Sequence, residues 1–212
     1  MDPNFWLERW ENNHLGWHQD QAHPMLVKYL PQVVEDSGAR IFLPLCGKTL
    51  DIGWLRTQGY NVVGAELSEI AVKQLFENAG VTPEITEHGS LKSYSARQIN
   101  VFVGDIFDVT IDLLSSVDVV FDRAALVALP EDMRNRYAQH LAEITQMAPQ
   151  LLISFEYDQN VMAGPPFSVP QAEITRLYEQ NYEMSLLTDE DVAGGLKGIC
   201  PAREQAWKLT KR

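Results

Sequence analysis

Arg40-Ile41-Phe42-Leu43-Pro44-Leu45-Cys46-Gly47-Lys48-Thr49-Leu50-Asp51, with Gly64-Ala65-Glu66-Leu67-Ser68 beyond it, decides the reading of this chain. An apolar run breaks into a small-residue turn, a helical pattern follows, and a second apolar run ends on a carboxylate nineteen residues past Gly47. That layout predicts a strand–turn–helix–strand unit of a doubly wound α/β sheet, in which the turn lets backbone approach a nucleoside and Glu66 accepts the ribose hydroxyls. The glycines narrow the ligand. A dinucleotide fingerprint carries three, and this turn carries one, so a tight pyrophosphate cradle is not expected. A phosphate-wrapping loop would need a glycine five positions before Gly47, where Phe42 stands. A ligand with a ribose and no pyrophosphate remains, and S-adenosylmethionine fits that description.

Outward from this unit, strands are expected over residues 40–45, 61–66, 99–103, 117–121, 150–156, 184–187 and 205–209. Helices are expected over 50–58, 68–78, 131–147 and 170–180, preceded by two at 3–12 (capped by Asp2) and 24–35. The stretch 83–97 is polar and of mixed tendency and receives no assignment. The alternation predicts an α/β fold: a Rossmann-like, seven-stranded, mostly parallel sheet with helices on both faces and an N-terminal helical cap over 1–38. Between Leu187 and Gln205 lie Gly194, Gly195, Gly198 and Pro201 but no helical period. The last two strands should therefore form an antiparallel hairpin with a long loop, leaving the last strand antiparallel. At 212 residues the chain is expected to be a single domain spanning 1–212.

With 29 Asp and Glu against 17 Lys and Arg the formal net charge is −12, which argues against nucleic acid as a partner. Two cysteines, Cys46 and Cys200, make neither a disulfide framework nor a zinc cluster, and no metal is expected. Without a secretory pattern or a long apolar run, the expectation is a soluble, cytoplasmic monomer with a small-molecule partner and no membrane association.

Ligands of open α/β sheets bind beyond the carboxyl ends of the strands. Glu66 stands at one such end. Asp105 and Ile106 follow another, where they either take the adenine or serve as a turn cap and ordinary packing. Arg123 follows a third, beside Asp122 and in apolar company, so it is paired either by Asp122 or by a ligand carboxylate. Trp6, Trp10 and Trp17 crowd the N-terminus. Trp6 reads as packing of a capping helix, whereas Trp10 and Trp17 suit a lid whose aromatic faces attract a sulfonium and exclude water. His18 is either a proton acceptor or a loop histidine bonded to backbone.

Trp6-Leu7-Glu8-Arg9-Trp10, Trp17-His18-Gln19, the run from Phe42 to Asp51, Gly64-Ala65-Glu66-Leu67-Ser68, Asp105-Ile106-Phe107-Asp108, Phe121-Asp122-Arg123-Ala124-Ala125-Leu126 and Gly164-Pro165-Pro166-Phe167 together resemble the bacterial-type thiopurine S-methyltransferase family, in order over nearly the whole chain. The resemblance implies methyl transfer from S-adenosylmethionine to an aromatic or heterocyclic thiol, with selenium and tellurium species as further acceptors. By position it implies that Trp10, Leu45, Glu66, Asp105, Ile106 and Arg123 line the cofactor site. Trp17 and again Arg123 would face the acceptor, near a loop formed by residues 164–167. Arg123 is then the catalytic residue, stabilising an anionic acceptor, and Cys46 is a turn residue. Ala124 stands where the family commonly has glycine. An NAD-dependent oxidoreductase and a non-catalytic nucleoside-binding protein are the competing expectations.

Overall fold

The computed structural model describes residues 3–16 and 18–212, so the Trp17 and Asp2 expectations lie outside the described residues. Helix α1 (Pro3–Glu11) and helix α2 (Pro24–Tyr29) precede the sheet. Helix α2 is shorter than its periodicity predicts, because Pro31 lacks the N–H a further turn needs and the chain tightens into a 3-10 turn at Leu30–Gln32. From there the chain runs β1 (Arg40–Pro44), α3 (Asp51–Thr57), β2 (Asn61–Glu66) and α4 (Glu69–Asn78). It continues through β3 (Glu84–His88), β4 (Leu91–Ala96), β5 (Ile99–Val103), α5 (Ile111–Leu114) and β6 (Val119–Asp122). Helix α6 (Glu131–Ile144), β7 (Gln150–Tyr157), α7 (Gln171–Tyr178), β8 (Tyr182–Asp191) and β9 (Ala202–Lys211) complete it.

All strands join one sheet in the order β3-β4-β5-β2-β1-β6-β7-β9-β8. Its centre, β5-β2-β1-β6-β7, is parallel, and β9 runs antiparallel to both β7 and β8, as the terminal glycine-rich loop predicts. The sheet has nine strands, not seven. The two extra ones are the β3–β4 hairpin in the stretch left unassigned, paired antiparallel to β5 through β4.

Alternation along the strands divides the core between two faces. Ile41 and Leu43 pack with Leu26 of α2, Leu55 of α3 and Leu75 of α4 on one side. Phe42 packs with Leu114 of α5, Leu141 of α6 and Ile174 of α7 on the other. Strand β1 lies between β2 and β6, so the chain winds outward in both directions from the β1/β6 gap. Such a switch point opens a crevice at the carboxyl ends of the strands, because the connections there leave to opposite faces. Among the described residues, no helix is long and apolar enough to cross a membrane.

Candidate active site

The turn after β1 carries the site. Leu45 and Gly47 both have positive φ, 48° and 55°. For Leu45 the left-handed conformation costs about 1 kcal/mol or more, the strain expected where a backbone is bent to meet a ligand. The fold holds the turn in place by extending β1 pairing through it: the Cys46 N–H donates to the Ala65 carbonyl at 3.0 Å. Gly47 is required twice over, since its φ favours glycine and a Cβ there would stand 3.0 Å from a ring carbon of Trp10. Trp10, buried on α1, thus covers the turn, and the Lys48 ammonium lies 5.9 Å from its ring centroid.

Glu66, at the end of β2, bridges this turn to the next helix. One carboxylate oxygen accepts the Gly47 N–H at 2.7 Å and the other the Ser68 N–H at 2.8 Å. Ser68 in turn caps α4 by accepting the Ala71 N–H at 3.3 Å. Burial raises the Glu66 carboxyl above the usual carboxylate range, and the N–H groups of Ser68, Gly47 and Leu67 pull it back. The Cys46 thiol is pushed well up by burial and by the Glu66 charge, so it offers no thiolate at neutral pH, in keeping with a turn residue. Its sulfur fills the space over Gly64, where a Cβ would come within 2.8 Å of Sγ.

These residues line a cavity of about 490 Å³, a volume ordinary for a cofactor pocket. Trp10, Leu45, Glu66, Asp105, Ile106 and Arg123 all reach its wall. Asp105 is an exposed cap as well, accepting the Phe107 N–H at 3.0 Å. Ile106 is buried in the core between β5 and α6, and its carbonyl meets His140 Nε2 at 2.8 Å. Trp6 lines the cavity and stacks edge-on against Phe5 at 5.2 Å, so it does more than pack α1. Pro165 and Pro166 line it as well.

Asp122 is not the partner of Arg123. Asp122, the last residue of β6, turns toward α6, accepting the Leu126 N–H at 3.0 Å and the Tyr137 hydroxyl at 2.8 Å. Arg123 faces the cavity instead. Burial lowers its pKa, and the charges of Asp51 and Glu204 hold it up. These two carboxylates meet at His23, a residue without a local signal in the sequence. The His23 N–H donates to Asp51 Oδ1 at 2.7 Å, and His23 Nε2 lies 3.1 Å from Glu204 Oε1. Because His23 Nδ1 accepts the Met25 N–H at 3.3 Å, Nε2 carries the proton and donates it to Glu204. The other Asp51 oxygen accepts the Thr49 hydroxyl at 2.7 Å. Two anchored acids therefore accompany the arginine at the β1/β6 opening.

His18 also lines the cavity. Burial lowers its pKa first, and Lys48 and Arg123 lower it further, against a smaller opposing effect of Asp20. It is a neutral imidazole at neutral pH. Ala124, where the resembling family commonly has glycine, has φ 60°, which explains why glycine suits that position. Among the described residues, no group of three His, Cys, Asp or Glu is arranged to hold a metal.

Burial raises Asp122 from 3.8 to about 6, against the pull of its hydrogen bonds. A carboxyl raised on folding contributes stability that is complete below its unfolded pKa and lost as pH rises through the folded one. For Asp122 that window is 3.8 to about 6. Asp122→Asn cannot titrate, so its stability relative to the native chain should improve by roughly 2–3 kcal/mol between pH 4 and pH 7. Urea unfolding of both proteins at the two pH values checks this; a constant difference would refute it.

The thiopurine S-methyltransferase family model matches residues 1–212. A thiopurine S-methyltransferase of Xanthobacter autotrophicus is 51% identical over 212 residues, with 100% of each chain covered. Another, of Gluconobacter oxydans, is 47% identical over 206 residues, 97% of this chain and 94% of its own. Among solved structures, Burkholderia thailandensis 1,6-didemethyltoxoflavin-N1-methyltransferase, with bound 1,6-didemethyltoxoflavin and S-adenosylhomocysteine, superposes with a TM-score of 0.66. That match covers 99% of this chain and 87% of the other at 13% identity, and speaks for the fold alone. The strained single-glycine turn, the carboxylate that bridges it to α4 and the arginine beyond β6 thus occur in a chain matched end to end, and this chain belongs to the thiopurine S-methyltransferase family.

Proposed function

We propose that this chain, acting as a single domain over 1–212 and as a monomer in a reducing cytoplasm, methylates the sulfur of aromatic and heterocyclic thiols such as thiopurines, with selenium and tellurium species as further acceptors. Methyl transfer from S-adenosylmethionine follows from family membership; the acceptor class is the step beyond it. The observation that carries this step is Arg123: a guanidinium in a cavity wall that also includes the apolar Val127, Leu129, Ile153 and Phe155, with the His23-bonded acids Asp51 and Glu204 acting on its charge. An apolar wall suits a flat ring, and a buried cation suits a ring sulfur bearing negative charge.

S-Adenosylmethionine, when bound, supplies a methyl group made electrophilic by its sulfonium. The residues present fit that cofactor, since Glu66 keeps lone pairs beyond its two backbone bonds and faces the cavity at the strained turn. In this reading Glu66 accepts the ribose hydroxyls, Asp105 and Ile106 hold the adenine, and Trp10 and Leu45 shield the sulfonium end from water. Trp17 would face the acceptor beside Arg123. Arg123 holds the attacking sulfur as thiolate, and the Lys48 charge favours the same ionised form. The thiolate arrives activated, so the protein's task is orientation in line with the methyl group and exclusion of water, with no general base required.

The test is transfer of a labelled methyl group from S-adenosylmethionine to thiophenol and a thiopurine, run beside phenol and aniline. Methylation of the thiols alone supports the assignment. Methylation of neither thiol, or preference for the oxygen or nitrogen analogue, removes it. Binding of NAD in place of S-adenosylmethionine would favour an oxidoreductase.

A further inference from the structure

We propose that His23 is a positioning residue for Arg123: it bonds Asp51 through its backbone and Glu204 through its ring, and so holds two acids that fix the guanidinium at the acceptor. This role rests on the acceptor reading of Arg123 above and adds to it the residue through which that cation is set in place.

In sheet order β6 stands between β1 on one side and β7 and β9 on the other. Asp51 opens α3 just past the turn that follows β1, Glu204 lies on β9, and Arg123 directly follows β6. The two acids therefore come from opposite sides of the strand that delivers the arginine, and all three side chains line one cavity. His23 spans the gap between the acids. Glu204 and Ala206 share a face of β9 by alternation, and Ala206 packs in the same cluster as Leu26 of α2, so Glu204 is turned toward the helix that His23 caps. There the His23 N–H meets Asp51 Oδ1 at 2.7 Å and Nε2 meets Glu204 Oε1 at 3.1 Å. His23 and Asp51 are both 2% exposed, so water does not compete for the bond between them.

The ring is oriented by the helix it starts. Its Nδ1 is committed to the Met25 N–H, so turning the ring over would break the cap of α2, and Nε2–H is left as the donor that Glu204 receives. Asp51 is held at both oxygens, by the His23 N–H and by the Thr49 hydroxyl. Acids anchored in this way act on Arg123 as fixed charges instead of following a long side chain through its rotamers. Their charges oppose the desolvation of the guanidinium, and their fixed places bias it toward one setting in the cavity. His23 is not among the described residues that line the cavity, so it acts through its two partners and touches no reacting atom.

Two substitutions in the full chain divide the duties of the ring. His23→Asn keeps an oxygen to accept the Met25 N–H but is too short to reach Glu204, whereas His23→Gln reaches Glu204 with its amide and gives up the cap. The Asp51 bond comes from backbone and survives in both. With thiophenol, kcat/KM should fall about ten-fold in His23→Asn, as for loss of a hydrogen bond to a charged group, and recover to within about two-fold of native in His23→Gln. His23→Gln should nevertheless melt at the lower temperature, because it lacks the cap. Placed on Arg123→Ala, His23→Asn should cost less than about two-fold, because the two residues act as one unit. Native kcat/KM in His23→Asn, a loss that follows the melting temperature and is larger in His23→Gln, or the full loss on the Arg123→Ala background would each overturn the role. Should no thiol be methylated, or Arg123→Ala be kinetically native, the acceptor reading fails separately, and the nitrogen NMR spectrum of the arginine side chains decides. The Arg123 Nε–H signal, identified by its absence in Arg123→Ala, should shift or broaden in His23→Asn and return in His23→Gln. A signal unmoved in His23→Asn would overturn the positioning.

Discussion

Arg123→Ala is expected to lower kcat/KM for an aromatic thiol by about 10²–10³-fold, the loss seen when a donor aimed at developing or resident negative charge is removed from a dry site. The effect should fall on the acceptor, because the guanidinium stands beyond β6 while the carboxylate assigned to the ribose ends β2. Folding should survive. Burial already disfavours the charged arginine, so its removal relieves desolvation, while Asp51 and Glu204 lose a cation that acts on them. Both acids stay anchored by His23. Arg123→Lys keeps a charge but not the planar fork, and should fall between the alanine variant and the native chain. Steady-state kinetics with thiophenol, alongside circular dichroism and a melting curve, checks these outcomes. Native kinetics in a folded Arg123→Ala protein would remove Arg123 from the mechanism.

The route from β1 through the turn to Glu66 was legible in the sequence because every signal there is local. Apolar runs, a single glycine and a carboxylate at fixed spacing need no knowledge of distant chain. The β3–β4 hairpin was not. All five residues of β3 are exposed, so the strand has no buried face and no alternation to display. The end of α2 was masked differently, since its apolar period continues past the point where Pro31 forbids the helix. Asp122 beside Arg123 left two partners open for the arginine, this neighbour or a ligand carboxylate, and Asp122 is taken up by the Leu126 N–H and the Tyr137 hydroxyl instead. The acids that do accompany Arg123 are joined through His23 over sequence separations of 28 and 181 residues. No pattern within a window reaches that far.

Glu66→Ala is expected to do two separable things. The first is structural: the Gly47 and Ser68 N–H groups lose their acceptor in a buried setting, which should cost about 2–4 kcal/mol of stability in the absence of ligand. The second is loss of the ribose hydrogen bonds, which should weaken S-adenosylmethionine binding about a hundred-fold or more. Glu66→Gln separates the carboxylate's charge from its size. Its amide nitrogen must face one of the two backbone donors, donor against donor, so it should lose nearly as much stability as alanine. The native chain carries a further signature. Because burial raises the Glu66 pKa above 4.5, the carboxyl binds its proton at a higher pH folded than unfolded. Its contribution to stability is therefore full below the unfolded value and declines as pH rises through the folded one. Cofactor affinity must move the opposite way, since only the ionised group has lone pairs for both ribose hydroxyls and both backbone donors at once. Affinity should fall on acidification with a limb set above the ordinary carboxylate range, and that limb should vanish in Glu66→Ala and Glu66→Gln. Calorimetric titration of S-adenosylmethionine across the acidic range decides the matter: a limb that persists in both variants would place the ribose on some other group.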